Sequence, residues 1–150
     1  MSTVITSHKD KSAEVLGVHG GDGVMRWVRV ATGAHLYGDW DGIEVIGFEP
    51  GGRAGRHTHS HTEEIWFVLA GRGVVELDGV RHDLEPGTLV LTPLHSQHAA
   101  WNTGDERLEY VVIEVFPPEV NAKLAPRRPT EEDDSATGAT SAAREERESD

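Results

Sequence analysis

Short apolar runs recur between residues 25 and 118, and turn-forming residues separate them. The runs are rich in β-branched and aromatic residues, and Gly, Pro, Asp or Asn bounds each of them. Seven runs share this form: MRWVRVA, GIEVIGFEP, EEIWFVLAG, GVVELDG, TLVLTP, HAAWN and LEYVVIEVFPP. Short strands separated in this way are typical of a β-sandwich or β-barrel, and no stretch has a convincing helical period. The pattern therefore predicts an all-β domain.

Two glycine-containing turns indicate how neighbouring strands connect. Asp78 and Gly79 lie between two alternating runs, which is the signature of a type I′ hairpin. The segment 71–73, with the sequence GRG, is expected to turn the chain in the same way after EEIWFVLA.

Both ends of the chain are polar. Residues 1–20 are predicted to form a loosely ordered arm, although Val15, Leu16 and Val18 are suited to a strand at a sheet edge. Residues 126–150 contain eight acids, four bases and no aromatic residue. Such a segment cannot bury enough apolar surface to offset its ordering entropy, so it is predicted to be a disordered acidic tail. The barrel domain is expected to span residues 21–125.

A cluster of histidines and acids suggests a metal site. On an extended strand, His57 and His59 face the same side because alternate residues share a face. If the strand that follows folds back antiparallel, Glu64 can meet this pair, and His98 lies in a later strand. Imidazoles and a carboxylate are ligands of divalent transition metals. The alternative is a solvated loop that is merely rich in histidine.

The spacing of these residues resembles the two motifs of the cupin superfamily. The first motif is matched by Gly51, His57, His59, Glu64 and Gly71. The second is matched by Gly87, Pro93, His98 and Asn102. One position departs from the pattern, since His95 stands where the family usually has glycine. The resemblance covers about Ile43 to Pro117.

This resemblance implies a jelly-roll β-barrel that holds one divalent transition metal on His57, His59, Glu64 and His98. Zn, Fe(II), Mn, Ni and Cu all accept such ligands, and the sequence does not choose among them. Three histidines and one glutamate leave coordination positions open, which is typical of a catalytic site.

The expected function is that of a metal-dependent enzyme acting on a small organic substrate, oxygenated or aromatic. The family includes dioxygenases, isomerases and polyketide cyclases of secondary metabolism. The competing interpretation is a non-catalytic protein that binds a metal or a small ligand.

Four apolar residues are predicted to line the substrate pocket: Trp66, Val68, Leu91 and Ala100. Trp66 and Val68 share the strand face of Glu64, and Ala100 shares that of His98, although packing in the core is an equally good explanation.

His95 is the predicted catalytic residue. An imidazole near the metal can exchange a proton at neutral pH. The alternative is an exposed histidine at the pocket rim.

Other polar and aromatic residues receive weaker assignments. His61 and Glu63 are candidates for the rim, whereas Asn102 is expected to shape a turn rather than bind metal. Four histidines are expected at the surface: His8, His19, His35 and His82. Four aromatic residues are candidates for capping the pocket mouth, or for ordinary packing: Trp27, Tyr37, Trp40 and Tyr110.

Composition limits the remaining function classes. The formal net charge of −12 argues against nucleic acid as a partner, because phosphates require a basic surface. The chain has no cysteine, which excludes disulfides and thiolate ligands. It has no membrane-length apolar run and no signal-peptide pattern, so a cytoplasmic location is expected. A homodimer is a further possibility that the family resemblance implies.

Overall fold

The computed structural model describes residues 7–35 and 38–125, and these form an almost entirely β structure. Ten strands are present in this part of the chain: β1 (Ala13–Leu16), β2 (Val24–Thr32), β3 (Trp40–Phe48), β4 (Arg53–Thr58), β5 (Glu63–Ala70), β6 (Gly73–Leu77), β7 (Val80–Leu84), β8 (Leu89–Thr92), β9 (Gln97–Asn102) and β10 (Leu108–Val115). Two 3₁₀ turns (Lys9–Lys11 and Val18–Gly20) and the short helix α1 (Pro118–Asn121) complete it. The tail and Tyr37 lie outside the described residues.

The strands form two sheets that pack face to face. The larger sheet has the order β1-β2-β3-β10-β5-β8, and the smaller has the order β4-β9-β6-β7. Every pairing is antiparallel. The core between the sheets draws on both of them, for example Phe48 and Val112 from the larger sheet and Val75 from the smaller. The all-β prediction is confirmed.

The predicted hairpin at Asp78-Gly79 joins β6 to β7. Both residues have positive φ, 47° and 83°, as a type I′ turn requires. Leu77 and Val80 pair on either side of the turn. The carboxylate of Asp78 also accepts a hydrogen bond from the backbone N–H of Gln97, at 2.8 Å, which ties the turn to β9.

The turn at residues 71–73 differs from the prediction. It connects β5 to β6, which belong to different sheets, so it is a crossover and not a hairpin. Gly71 has a φ of 77°, and a Cβ atom there would overlap the carbonyl oxygen of Arg107. Glycine at this position therefore serves both the backbone conformation and a close approach of two chain segments.

The N-terminal segment is more closely integrated than a loose arm. Strand β1 pairs with β2 and extends the larger sheet at its edge. The 3₁₀ turn Val18–Gly20 then lies against β4. A Cβ atom on Gly55 would overlap the carbonyl oxygen of His19, so the two backbones are nearly in contact. The ordered domain consequently begins before residue 21.

Helical structure is limited to the turns at residues 9–11 and 18–20 and the single turn of α1 in the described ranges. Pro118 begins α1, a position where its missing N–H carries no cost. Across residues 7–35 and 38–125, no helix has the length and apolar character needed to cross a membrane.

Candidate metal centre and substrate cavity

Three histidines converge from one edge of the smaller sheet. His57 in β4 and His98 in β9 are direct cross-strand partners, and their ring centroids lie 4.2 Å apart. His59 follows the end of β4 at Thr58 and still turns into the same cluster, with its ring centroid 5.2 Å from that of His98. The imidazole ligand atoms of the three residues all lie within 4.8 Å of one another.

Glu64 reaches the histidines from the opposite sheet. The sequence suggested an antiparallel return of β5 onto β4, but β5 pairs with β10 and β8 instead. Glu64 therefore meets the cluster across the barrel interior, and its Oε1 lies 3.3 Å from His59 Nε2. Its Oε2 lies 3.3 Å from His98 Nε2 and also accepts hydrogen bonds from Trp66 Nε1 and Thr92 Oγ1, both at 3.0 Å.

Neighbouring groups orient two of the imidazoles. Nδ1 of His57 lies 2.9 Å from the carbonyl oxygen of Gly55, which can only accept, so Nδ1 carries the proton and Nε2 keeps its lone pair. Nδ1 of His59 lies 3.1 Å from Thr62 Oγ1. Hydrogen bonds of this kind fix the orientation of metal-binding histidines.

Three ring nitrogens of this cluster lack the hydrogen-bond partners that burial normally requires. Within the described part of the chain, three buried side-chain nitrogens have no hydrogen-bond partner: Nε2 of His59 and both ring nitrogens of His98. Unsatisfied buried polar groups are costly and call for a specific explanation. A cation shared with the Glu64 carboxylate satisfies the two Nε2 atoms, so the donor set fits one divalent transition metal.

Burial also keeps two of the three histidines, His57 and His98, neutral. It lowers the pKa of His57 to about 4 and that of His98 to about 3. Both rings are therefore unprotonated at neutral pH, with lone pairs available as ligands and no proton to displace on binding.

A small cavity of about 170 Å³ opens beside the four predicted ligands. Its other walls are mostly apolar and aromatic, and include Trp27, Trp66, Ala100, Tyr110 and Val112. Tyr110 stacks on Trp66 with ring centroids 4.9 Å apart, and burial raises the pKa of its phenol. Predominantly apolar walls with a few convergent polar groups are characteristic of small-molecule sites.

Comparison with known proteins agrees with this architecture. Residues 44–114 match the family model described as the Cupin domain. The fold superposes with a TM-score of 0.70 on a predicted oxalate decarboxylase from Thermotoga maritima, covering 77% of this chain and 100% of that one at 20% identity. Residues 44–114 of this chain therefore form a cupin domain.

Two Streptomyces relatives share more sequence with this cupin over shorter stretches. Protein SchB of Streptomyces halstedii is 37% identical over 86 residues, which are 57% of this chain and 59% of SchB. The polyketide synthase CurC of Streptomyces cyaneus is 36% identical over 62 residues, which are 41% of this chain and 40% of CurC. The cupin therefore matches less than two thirds of the length of either relative.

The pocket residues predicted from sequence are only partly in the cavity. Trp66 and Ala100 line it, whereas Val68 is buried in the core beyond its walls. Leu91 is 57% exposed on the outer face of β8, so its assignment to the pocket is corrected. Val90 and Thr92 point inward instead, because alternate residues of a strand face opposite sides.

His95 occupies the turn before β9 and keeps the backbone shape of a glycine. Its φ is 66°, in the left-handed region, and its N–H donates to the carbonyl oxygen of His59 at 3.0 Å. The side chain is exposed and is not part of the cavity wall. Its position is that of an exposed rim histidine, so the catalytic role predicted for His95 has no support from the geometry.

His19 is a cavity residue that the sequence did not reveal. It was expected at the surface, and its side chain is indeed partly exposed, but its ring stacks on that of His57 with centroids 3.7 Å apart. Burial, followed by the nearby His59, lowers the pKa of His19. No local pattern marked this residue, since it lies outside both motifs and reaches the site only because residues 17–20 dock on β4.

A second polar group lines the cavity on the side of the larger sheet. The carboxylate of Glu44 accepts hydrogen bonds from Trp27 Nε1 at 2.7 Å and from Arg29 Nε at 2.9 Å. Arg29 also bonds to Glu114 at 2.8 Å. Burial, followed by the nearby Glu44, raises the pKa of Glu114 to about 7. An oxygen of Glu114 lies within 4.8 Å of ligand atoms of His59 and Glu64.

The remaining predicted residues have structural or surface positions. Asn102 shapes a turn, as expected, by donating to the carbonyl oxygens of Phe48 and Glu106. Glu63 accepts a hydrogen bond from the N–H of Leu94 and lies outside the cavity wall. Trp40 is half-buried and also lies outside the wall. Four further histidines are exposed: His8, His35, His61 and His82.

Proposed function

We propose that this cupin is a metal-dependent enzyme of the polyketide-cyclase type, acting on a small oxygenated or aromatic substrate. The observation that carries the proposal is the arrangement of two unlike surfaces around one small cavity. The metal donors His57, His59, Glu64 and His98 form one wall, and an aromatic wall that includes Trp66 lies beside them. A planar substrate with a carbonyl or enolate oxygen fits both surfaces.

The donor set would hold one divalent transition metal and leave coordination positions open to a substrate oxygen. When bound, such a metal supplies Lewis-acid stabilisation of a developing enolate. The chain's own residues bind and orient the substrate. Trp66 and Tyr110 present apolar ring surface to a planar substrate and exclude water from it.

The carboxylates of Glu44 and Glu114 give the cavity a second point of recognition. Both line the cavity and both are buried, at 7% and 8% exposure. Carboxylate oxygens accept hydrogen bonds, so this wall favours substrates that present hydroxyl groups away from the metal-binding oxygen. Arg29 contacts both carboxyl groups from outside the cavity, and burial beside Glu44 raises the pKa of Glu114 to about 7, which reduces the negative charge on this wall at neutral pH.

The relationship to CurC supports this class of chemistry over the other family activities. CurC carries the name of a polyketide synthase and shares 36% identity over the matched region. Isomerisation requires the same Lewis-acid chemistry, whereas oxygenation additionally requires a redox-active metal. The competing function is non-catalytic binding of a small ligand.

The test is conversion of a defined substrate by protein loaded separately with Zn, Fe(II), Mn, Ni or Cu. Aromatic polyketones that carry hydroxyl groups are incubated with each form, and the products are separated and weighed by mass spectrometry. Cyclisation with dehydration gives loss of water, isomerisation gives an unchanged mass, and dioxygenation adds two oxygen atoms. The control is Glu64→Gln, treated with the same metals.

We expect loss of water with at least one metal, and only in protein that keeps Glu64. Gain of oxygen would replace the cyclase assignment with an oxygenase. Binding of the polyketones without conversion, under every metal, would overturn catalysis and favour the ligand-binding alternative.

A further inference from the structure

The carboxylate of Glu64 has two oxygens with unlike surroundings. Oε2 accepts hydrogen bonds from Trp66 Nε1 and from Thr92 Oγ1, both at 3.0 Å. Among the described residues, none donates a hydrogen bond to Oε1. A carboxylate oxygen offers about two lone-pair sites, so the two donors fill those of Oε2 and leave those of Oε1 available to a cation.

Distance to the histidines does not separate the two oxygens. Oε1 of Glu64 lies 3.3 Å from His59 Nε2, and Oε2 lies 3.3 Å from His98 Nε2. Neither contact is a hydrogen bond, because within the described ranges both ring nitrogens lack such a partner. The two donors on Oε2 are therefore the feature that distinguishes it from Oε1.

The fold fixes both donors in place. Thr92 in β8 is the direct cross-strand partner of Glu64 in β5. Trp66 lies two residues after Glu64 on the same face of β5, which brings its indole N–H back to the carboxylate. The Trp66 ring stacks on that of Tyr110, with centroids 4.9 Å apart, and stands edge-on to that of His98. Packing on two sides therefore holds the indole in this orientation.

Burial makes both donors depend on the Glu64 carboxylate. Trp66 is 4% exposed and Thr92 is 3% exposed, so water does not replace a lost partner. An indole N–H can only donate, and a buried donor left without an acceptor is costly. A metal that took both oxygens of Glu64 would compete with these donors for Oε2, whereas a metal bound to Oε1 alone leaves both hydrogen bonds in place.

We propose that Trp66 and Thr92 are positioning residues that hold Glu64 to coordination through one oxygen, Oε1. This role rests on the proposed metal site. Carboxylates bind cations through either one oxygen or two, and the groups around the carboxylate decide between these modes. Here the two donors favour the first mode.

The mode of Glu64 binding limits the substrate. Three imidazoles and one carboxylate oxygen leave two positions on a six-coordinate ion, whereas a carboxylate bound through both oxygens would leave one. Two open positions suit a substrate with two neighbouring oxygens, such as a hydroxyl beside a carbonyl. Binding through both oxygens also fixes the orientation of a flat substrate against the aromatic wall of the cavity.

The first measurement is made on wild-type protein loaded with Zn. Elemental analysis establishes that the metal is bound. Infrared difference spectra between metal-loaded and metal-free protein, isotope-labelled at the glutamate carboxyl carbon, then give the separation of the two carboxylate stretching bands. This separation is wider for coordination through one oxygen than through two. We expect the wide separation, in bands that are absent from the Glu64→Gln variant.

Matched variants test the two donors. Thr92→Val removes the hydroxyl and nearly keeps the shape of the side chain, so Oε2 is released and the band separation should narrow. Thr92→Ser keeps the hydroxyl and should restore the wild-type spectrum. Trp66→Phe removes the indole N–H and should act like Thr92→Val. The control is Thr103→Val, at an exposed threonine, which should leave the spectrum unchanged.

The second readout is affinity for tropolone, a flat molecule with two neighbouring oxygens. Titration into Zn-loaded protein should show similar affinity in wild type, Thr92→Ser and Thr103→Val. Affinity should be about 10-fold weaker in Thr92→Val, the lower end of the effects seen when groups that orient metal ligands are lost. Equal tropolone affinity in wild type and Thr92→Val would overturn the preference for a substrate with two oxygens.

The outcomes separate this role from the metal site itself. A narrow band separation in wild type would overturn the role of Trp66 and Thr92 and leave the metal site intact, whereas wild type without bound metal would overturn both. Wild-type spectra in both Thr92→Val and Trp66→Phe would also overturn the role. If circular dichroism shows that Thr92→Val does not fold, the wild-type band separation and the Trp66→Phe spectrum decide.

Discussion

The imidazole of His19 lies flat on that of His57, with ring centroids 3.7 Å apart and planes 14° from parallel. This contact joins the segment before β2 to a predicted metal ligand. His57 is thereby held on two sides, by the stacked ring and by the carbonyl oxygen of Gly55 on Nδ1. This contact predicts that His19 is a positioning residue that acts through His57.

Replacing His19 tests this role. His19→Ala removes the stacked ring and frees the orientation of His57, so we expect metal affinity to fall by about 10-fold, the lower end of effects for residues that orient ligands. His19→Phe keeps the stacked ring and should keep most of the affinity. Competition with a chromophoric chelator measures both. His8→Ala, at an exposed histidine, is the control, and equal affinity in wild type and the His19→Ala variant would contradict the role.

The metal ligands themselves give the second prediction. His98→Ala removes a buried donor from the centre of the cluster, and Glu64→Gln removes the negative charge that the cation requires. Elemental analysis of purified protein should show metal close to one equivalent in wild type and far less in both variants. His61→Ala, close in sequence but exposed, should retain wild-type metal content. Full occupancy in the His98 variant would show that the ligands have been misassigned.

The metal-free protein should lose stability in acid. Burial lowers the folded-state pKa of His57 to about 4 and that of His98 to about 3, whereas in the unfolded chain both return to about 6.5. Between these values the unfolded state binds more protons. The contribution of these histidines to stability is therefore fully present above pH 6.5 and is lost as the pH falls through the folded pKa values.

Melting temperatures of metal-free protein between pH 7 and pH 4 measure this effect. Wild type should melt at progressively lower temperature as the pH falls. His98→Gln should show a shallower decrease, because one of the two groups is gone. His82→Gln, at an exposed histidine of β7, should follow the wild-type curve. If the melting temperatures of the His98→Gln variant and wild type fell equally with pH, the lowered pKa of His98 would be contradicted.

His95→Gly should stabilise the protein. The wild-type residue holds a φ of 66°, which costs a side chain with a Cβ atom about 1 kcal/mol and costs glycine little. We expect the melting temperature to rise by a few degrees and the metal content to remain constant. His95→Asn, which tolerates this conformation, should give a smaller rise. A loss of turnover at unchanged metal content would instead restore the acid–base role predicted from sequence.

The sequence predicted the strands from local patterns, and the spacing of the two motifs predicted that three histidines and a glutamate converge. Alternation identified β5 and β10, the Asp-Gly pair identified the β6–β7 turn, and the two gapped motifs brought together His57, His59, Glu64 and His98. The strands and the turn depend on neighbours within a few residues, whereas the cluster of His57, Glu64 and His98 joins strands from both sheets. The strands and the β6–β7 turn are present in the structure because tertiary packing agrees with these local preferences.

Which strands pair could not be read from the same patterns. The sequence treated the turns after His59 and after Ala70 as local reversals, whereas the chain crosses between sheets at both places. Leu91 was assigned to the wrong face of β8 because an apolar run without alternating polar residues does not show which side chains face inward. His19 was missed because its approach depends on Gly55 in β4, a separate segment, and no single sequence window contains both residues.

Strand β5 carries two unlike surfaces on successive residues. Glu64 and Trp66 face the cavity, while Ile65 and Phe67 face outward. Substitutions at any of these positions change one surface and leave the other in place. A single-residue insertion or deletion within the strand would exchange them, because each later side chain would move to the opposite face. The two surfaces of β5 therefore depend on the number of residues in the strand as much as on which residues they are.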